Sequence, residues 1–260
     1  MPRAPSISAF FPVYNDAVTI VGLVKTARDV LSGITDNWEI IIVDDCSPDG
    51  AGELADQLAA EDGRIRVIHH EKNRGYGGAL RSGFAAATKE WVFYTDSDGQ
   101  YDVRELPLLV EHITEADVVN GYKMQRGDRL YRKVIGRIYH HTVKFFFALK
   151  MRDVDCDFRL MRRDLAQSLE LSSNSGVICA EMMTKVRGAG ARMVEAPVHH
   201  YPRVAGRSQF FRPRRILSLM GGLMVHWVRL MALGGKNKYA AKWQERKLTA
   251  KNAKDAKKGD

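Results

Sequence analysis

Through the first 120 residues, short apolar runs alternate with longer stretches whose apolar residues recur every three to four positions. That change of period leaves few folds open, because a period of two belongs to a strand and one of 3.6 to a helix. Ile7–Pro12, Trp38–Val43, Ile65–His69, Trp91–Thr95 and Asp117–Asn120 read as strands. Ala17–Ser32, Gly50–Glu61, Tyr76–Thr88 and a stretch around Val103–Ile113 read as helices. In Ala17–Ser32 the stripe is Ile20, Leu23, Val24, Ala27, Val30 and Leu31, behind the cap candidates Asn15 and Asp16. Strands joined by helices through short connections imply an α/β fold, a single mostly parallel sheet with helices on both faces. A chain of 260 residues suits one such domain plus an appendage.

Beyond Lys123 the pattern loosens. Leu130–Leu149 reads as a helix, Asp153–Met161 as a further strand, Cys179–Arg187 as a helix, and Arg192–Tyr201 as a return to the sheet. Ile216–Leu233 is rich in Leu, Met, Val and Trp but contains Gly221, Gly222, His226 and Arg229. Crossing a bilayer takes about 20 clean apolar residues, so this segment suits a helix lying in the membrane interface. From Lys236 a Lys- and Ala-rich tail follows, of a composition that stays flexible. The expected organisation is a domain at 1–210, an amphipathic segment at 211–235 and a basic tail at 236–260. Charge follows the same division. From Arg203 onward there are fifteen Lys/Arg against three Asp/Glu, while the rest holds 25 basic and 28 acidic residues. The basic end suits an anionic membrane surface, and the mildly acidic body argues against a nucleic-acid groove. Three scattered cysteines without a CxxC pair suit a reducing compartment, and with no basic-then-apolar leader at Met1–Phe11 the globular part is expected to be cytoplasmic.

In open parallel sheets ligands bind beyond the carboxyl ends of the strands, and polar clusters fall there. The first, Phe11-Pro-Val-Tyr-Asn-Asp16, offers the flat face of Tyr14 for a base, with Pro12 marking the strand end; an ordinary turn with an Asx cap is the alternative. Asp44-Asp45 places two acceptor-only carboxylates where a base N–H or ribose hydroxyl would bind, unless Asp45 or Ser47 caps the next helix. Asn73-Arg-Gly-Tyr-Gly-Gly-Ala-Leu-Arg-Ser-Gly83 fails the dinucleotide spacing; it reads as a helix start open to close approach of a ligand, or as a plain turn. Trp91–Thr95 runs into Asp96-Ser97-Asp98-Gly99-Gln100, where oxygens at i, i+2 and i+4 of an extended chain converge and suit Mg²⁺ or Mn²⁺; an acidic turn is the alternative. His199-His200 would point to opposite faces of a strand and read as structural. The loop Pro202–Gln209 carries Arg203 and Arg207 for clamping phosphates, or simply for meeting the membrane surface.

In order, Pro12-Val-Tyr-Asn-Asp16, Asp44-Asp-Cys-Ser-Pro-Asp-Gly50, Asn73-x-Gly with Gly77-Gly78-Ala79 and Gly83, Asp96-Ser-Asp-Gly-Gln100 and Asp157-Phe158-Arg159 resemble a family 2 glycosyltransferase. The branch is that of the polyprenyl-phosphate sugar synthases, such as dolichol-phosphate mannose synthase. The resemblance spans about residues 6–210. It implies a GT-A fold, a nucleoside-diphosphate sugar donor such as GDP-mannose or UDP-glucose, a divalent metal, and inversion at the anomeric carbon. It further implies that Pro12, Tyr14, Asp16, Asp44, Asp45 and Asn73 line the nucleotide site, with Asp96 reaching nucleotide or metal. Asp98 and Gln100 would complete the metal site, Lys123 and Arg132 face phosphates, and Arg203 and Ser208 close over donor or acceptor. Asp157 is a positioning candidate, since a lipid phosphate is already an anion and needs no strong base. Departures are Asp16 in place of glutamate, Cys46 in place of glycine, Asp157 in place of glycine, and Gln209 in place of lysine. The resulting expectation is a peripheral enzyme on the cytoplasmic membrane face moving a hexose to a dolichyl- or undecaprenyl-type phosphate. A soluble glycan or metabolite acceptor, or a non-catalytic binder of anionic membrane, are the competing readings.

Overall fold

The computed structural model describes residues 6–124, 141–147, 149–204 and 213–232 together with Trp243 and Glu245, the side chains of the 213–232 helix being described over 220–229. Seven strands form one sheet: β1 (Ile7–Val13), β2 (Trp38–Asp44), β3 (Ile65–His69), β4 (Trp91–Thr95), β5 (Val118–Lys123), β6 (Phe158–Arg162) and β7 (Met193–Val198). Their order is β3-β2-β1-β4-β6-β5-β7. Every pairing is parallel except those of β6, which runs against both β4 and β5. From β1 the chain steps outward to β2 and β3, then returns to lay β4 on the other side of β1. That reversal opens a crevice beyond the carboxyl ends of β1 and β4, where this class of sheet binds ligands.

The central strands β1, β2 and β4 are near-continuous apolar runs because both their faces are covered. Ile7, Ala9, Phe11, Trp38, Ile40, Ile42, Trp91 and Phe93 belong to one core, covered by α1 (Ala17–Ile34), α2 (Ala51–Glu61) and α4 (Leu106–Val110). The alternate residues Phe10, Ile41, Val43, Val92 and Tyr94 belong to the other, under α3 (Tyr76–Ala86), α6 (Arg163–Ser168) and α7 (Val177–Gly188). Residues 141–147 are helical (α5), and α8 (Pro213–Ala232) packs against α7, with Leu223 buried in the second core. Gly83 admits the Phe10 ring: a Cβ there would lie 2.3 Å from it. Phe10 in turn meets Phe84 at 5.0 Å and Tyr94 at 5.3 Å.

Several boundaries differ from the sequence reading. β1 continues through Pro12 to Val13, tolerated because its ladder with β4 has ended at Phe10 opposite Tyr94. The helix expected over Val103–Ile113 is a 3₁₀ turn, Val103–Glu105, followed by the five-residue α4. Pro107 lacks the N–H that the first intrahelical bond of a helix begun at Val103 requires. The strand expected from Asp153 begins only at Phe158. Its first residues form a loop whose carbonyls are taken by side chains, Asn120 on Asp153 at 2.9 Å and Lys123 on Asp155 at 2.9 Å. α6 was not foreseen. Of the expected Leu130–Leu149 helix, 130–140 and Ala148 lie outside the described residues, as do 125–129, Ser208, the rest of 205–212 and most of the tail. No helix among the described residues is long and apolar enough to cross a membrane.

Candidate active site

The ends of β1 and β2 turn sharply. Asn15 (φ 61°) and Cys46 (φ 62°) adopt the left-handed conformation. Glycine is the easy occupant of that region, so Cys46 holds strain at the rim of the crevice. Tyr14 is 40% exposed there. Asp16 occupies the N-cap position of α1 without capping it: its carboxylate accepts from the Tyr14 N–H at 3.3 Å. The Ala17 N–H is taken instead by Asp49, at 2.9 Å, from the loop after β2. Burial, together with Asp98 nearby, pushes the Asp16 pKa up to about 6.

The two adjacent carboxylates after β2 have different surroundings. Asp44 accepts from the Ser47 N–H at 2.9 Å and meets His69 at 3.1 Å. Asp45, only 3% exposed, accepts from the Arg74 and Gly75 N–H groups at 2.7 and 2.9 Å and meets the buried His70 at 2.6 Å. Asn73 closes the same loop, donating to the Asp45 carbonyl at 3.2 Å. Asp45 and Asn73 therefore clamp the start of α3 to the end of β2. Neither Asp45 nor Ser47 caps α2, whose first N–H goes to Asp49 at 3.3 Å. The glycines that open α3 admit the chain itself rather than a ligand. The Gly77 N–H donates to the Asn174 carbonyl at 3.0 Å, and a Cβ on Gly77 would lie 2.2 Å from the Ser173 carbonyl oxygen.

The acidic centre lies beyond β4. The extended chain ends at Thr95, and residues 97–100 bend through Gly99 at φ 74°, so a turn sets the side-chain directions instead of the expected two-residue alternation. Ser97 anchors the turn, donating to the Pro12 carbonyl at 2.8 Å. Asp96 accepts from the Tyr76 hydroxyl at 2.9 Å. Asp98, 5% exposed, accepts from the Gln100 N–H at 3.0 Å and from Arg203 at 2.6 Å. Burial first, then repulsion from Asp157 and Asp98, drives the Asp96 pKa well above the carboxylate range. Burial likewise raises Asp98, with Arg203 opposing. Asp157, at the start of β6, accepts from the Cys179 thiol at 3.2 Å and from the Tyr94 hydroxyl at 3.5 Å. Beneath it the fully buried Arg159 donates to Asn120 and to the Tyr94 hydroxyl, each at 2.5 Å.

Two cations and a strap complete the crevice. Burial works against the Lys123 charge, but Asp153 and its acidic neighbours hold the ammonium above the ordinary lysine value. Residues 100 and 201 are tied both ways: the Tyr201 N–H donates to the Gln100 carbonyl at 2.8 Å, and Gln100 Nε2 donates to the Tyr201 carbonyl at 3.1 Å. This strap carries Arg203 over Asp98. His199 bonds Glu105 and His200 meets the Tyr101 ring edge-on at 5.1 Å, so the two histidines go to separate partners.

Among the described residues, no three His, Cys, Asp or Glu side chains form a self-sufficient metal cage. The donor chemistry nevertheless fits a hard divalent cation. Asp96 and Asp98 are oxygen donors crowded by acid: beyond burial, Asp157 and Asp98 raise the Asp96 pKa and Asp157 raises that of Asp98, a repulsion that a cation sharing substrate oxygens would relieve. The fold thus gathers Pro12, Tyr14, Asp16, Asp44, Asp96, Asp98, Gln100, Lys123, Asp157 and Arg203 around one crevice, with Asp45 and Asn73 supporting it from behind. Arg132 and Ser208 lie outside the described residues. Sequence reading missed Tyr76, Asp49, His70 and Cys179. Tyr76 was legible in principle, as the one polar aromatic in the glycine run, whereas the other three are ordinary in sequence and gain their roles only by tertiary contact.

Comparison with known proteins agrees with this geometry. The model of glycosyl transferase family 2 matches residues 8–169. Glycosyltransferase AglD of Haloferax volcanii is 32% identical over 235 residues, a match covering 86% of this chain but 37% of the relative's length. Undecaprenyl-phosphate mannosyltransferase of Micrococcus luteus is 27% identical over 214 residues, covering 78% of this chain and 86% of the relative. Glucosyl-3-phosphoglycerate synthase from Mycobacterium tuberculosis, solved with phosphoglyceric acid, superposes with a TM-score of 0.64 at 18% identity, over 86% of this chain and 79% of that one. The same enzyme solved with Mn²⁺, uridine diphosphate and glucosyl-3-phosphoglycerate gives 0.62 at 19% identity. These likenesses bear out the expected GT-A architecture. With its family match across β1 to α6, the chain belongs to glycosyl transferase family 2 and is a glycosyltransferase.

Proposed function

We propose that the enzyme transfers a hexose, with inversion, from a nucleoside-diphosphate sugar to a polyprenyl phosphate at the cytoplasmic membrane surface. The observation that carries this reading is the acidic centre Asp96/Asp98 flanked by Arg203 and Lys123 at the sheet's switch point. Tyr14 offers its exposed ring to the base, and Asp44, buried with its oxygens on the Ser47 N–H and His69, is assigned to base or ribose on the motif alone. Asp96 and Asp98, with Gln100, would hold Mg²⁺ or Mn²⁺. When bound, such an ion stabilises the diphosphate as it leaves. Arg203, paired with Asp98 at 2.6 Å, and Lys123, held at the end of β5 on the Asp155 carbonyl, are the cations assigned to the phosphates. We assign phosphate contacts to Arg132 and Ser208 as well, on the motif alone. Asp157, oriented by Cys179 and Tyr94, positions the acceptor oxygen, which needs no deprotonation because a phosphate is already anionic.

Support for a lipid acceptor comes from the name of the Micrococcus luteus relative and from the outer face of α8, where Met220, Met224, Val225 and Val228 are 41–51% exposed. That face, with the basic residues from Arg203 onward, supplies both apolar insertion and attraction to anionic lipid. The test is to incubate purified enzyme with GDP- and UDP-sugars, Mg²⁺ or Mn²⁺, and short-chain polyprenyl phosphates. Lipid-linked sugar is expected, and it should vanish in Asp98→Asn with the fold retained. Transfer to water-soluble acceptors alone would refute the lipid reading, and binding of no donor by folded protein would refute the donor site.

A further inference from the structure

A second polar cleft lies on the flank of the sheet, between the Ser172–Ser175 loop, the start of α7 and α8. Its volume is about 220 Å³, and it shares no residue with the acidic centre. The loop is held rigidly from behind: Glu181 accepts from the Ser172 and Ser173 N–H groups at 2.9 Å each, and Lys185 pairs with Glu181 at 2.7 Å. Arg81 donates to the Ser172 carbonyl at 3.0 Å. The 12-residue α7 then begins at Val177, behind Gly176; the Val177 N–H meets Ser175 Oγ at 3.4 Å, and no acidic residue in the first turn neutralises the helix's positive end.

The opposite wall is α8. His226 lines the cleft and is 8% exposed, yet its Nε2 is buried with no hydrogen-bond partner among the described residues. A buried ring nitrogen left unpaired calls for a partner. Burial lowers the His226 pKa, so near neutral pH the imidazole is uncharged and can donate through Nε2–H. Arg229, three residues on and exposed, brings a cation to the same cleft. Thus a helix N-terminus, a serine-lined loop, an unpaired imidazole and a guanidinium border one space, and the outward face of α8 beside it exposes Met224, Val225 and Val228.

We propose that this cleft is an anion site, separate from the donor centre, that takes a phosphate group between the start of α7 and the His226–Arg229 face of α8. The phosphate belongs either to the headgroup of an anionic lipid, with its chains over the apolar flank of α8, or to free phosphate. The site does not depend on the acceptor assigned above. Calorimetric titration of the full chain with inorganic phosphate, and separately with dihexanoyl phosphatidic acid below its micelle concentration, tests it. Saturable binding is expected that survives Arg203→Gln and weakens about tenfold in Arg229→Gln, a surface change that leaves the fold intact. His226→Phe, which keeps a ring in place, should weaken it too; if that variant does not fold, Arg229→Gln decides alone. Tighter binding of the phosphatidic acid assigns the site to a lipid headgroup, and equal binding assigns it to free phosphate. No saturable binding of either probe, or binding unchanged in Arg229→Gln, overturns the proposal.

Discussion

Glu39 is the one charged residue in β2 before its terminal Asp44, and its environment makes a stability prediction that can be worked through. It lies at the amino end of the sheet, 7% exposed, accepting from Ser8 Oγ at 2.6 Å, from the Thr88 N–H and hydroxyl at 2.7 Å each, and from Arg66 at 2.8 Å. Burial alone would raise its pKa, but these four donors outweigh it and hold the carboxyl at about 2, against an ordinary value of 4.5. A folded-state pKa below the unfolded one means stability that is complete above the unfolded value and lost as pH falls toward the folded one. The shift corresponds to about 3 kcal/mol in all, of which roughly 1 kcal/mol disappears between about pH 5 and pH 3.5. Glu39→Gln removes the titrating group, so the variant should be less stable at neutral pH by a similar few kcal/mol and should lack that portion of the acid slope. Urea denaturation followed by circular dichroism, for both proteins across this range, measures the difference directly. Parallel acid slopes for wild type and Glu39→Gln would refute the reasoning.

Three shorter expectations concern the core and the site. Gly22 sits on α1 with nothing within 4 Å of an added Cβ, so Gly22→Ala should stabilise by about 0.5–1 kcal/mol, whereas Gly83→Ala, driven into the Phe10 ring, should destabilise by about 1–3 kcal/mol or more; chemical denaturation separates the signs. Gly77→Ala forces a Cβ against the Ser173 carbonyl and should unseat the loop before α7, read as faster amide exchange in residues 172–178. Asp96→Asn relieves a buried repulsion, so its melting temperature should hold or rise at neutral pH while turnover falls at least 100-fold and Mn²⁺ no longer raises the melting temperature.

The fold was legible wherever a segment's period was set by burial alone. β2 and β4 were placed within a residue because both their faces are covered, β3 matched although it is half-exposed, and α1 started where expected because its stripe faces one core, running two residues beyond Ser32. Reading weakened where side chains compete for the backbone. The Asp153–Asp157 loop alternates like a strand, yet Asn120, Lys123 and Arg159 capture its carbonyls. At the site, the positions of Asp96 and Asp98 were readable from the strand that delivers them, but the geometry was not, since Gly99 turns the chain where an extended run was expected. Asp45 shows the limit most clearly. A carboxylate at a strand end looks equally suited to a ligand or to a loop, and only the tertiary arrival of Arg74, Gly75 and His70 shows that it clamps the loop.

The two ends of this sheet treat carboxylates in opposite ways, and the contrast carries a consequence for the whole molecule. At the amino end Glu39 is surrounded by donors and held at about 2. At the carboxyl end burial, reinforced by acidic neighbours, lifts Asp16 to about 6 and Asp155 to about 7. For these two the sign reverses: a folded-state pKa above the unfolded one means that deprotonation opposes folding, so stability rises as pH falls through it. The expected stability profile is therefore a dome, gaining on the order of 1 kcal/mol per group, once partial exposure is discounted, as pH drops from about 8 toward 5, then falling below that as Glu39 protonates. A cation bound at Asp96 and Asp98 offsets the repulsion on Asp16, so Mn²⁺ should flatten the alkaline limb and leave the acid limb alone. A profile that rises monotonically from pH 5 to 8 without metal, measured by urea denaturation, would mean that the carboxyl end carries no such stored repulsion and that its acidic residues are individually satisfied.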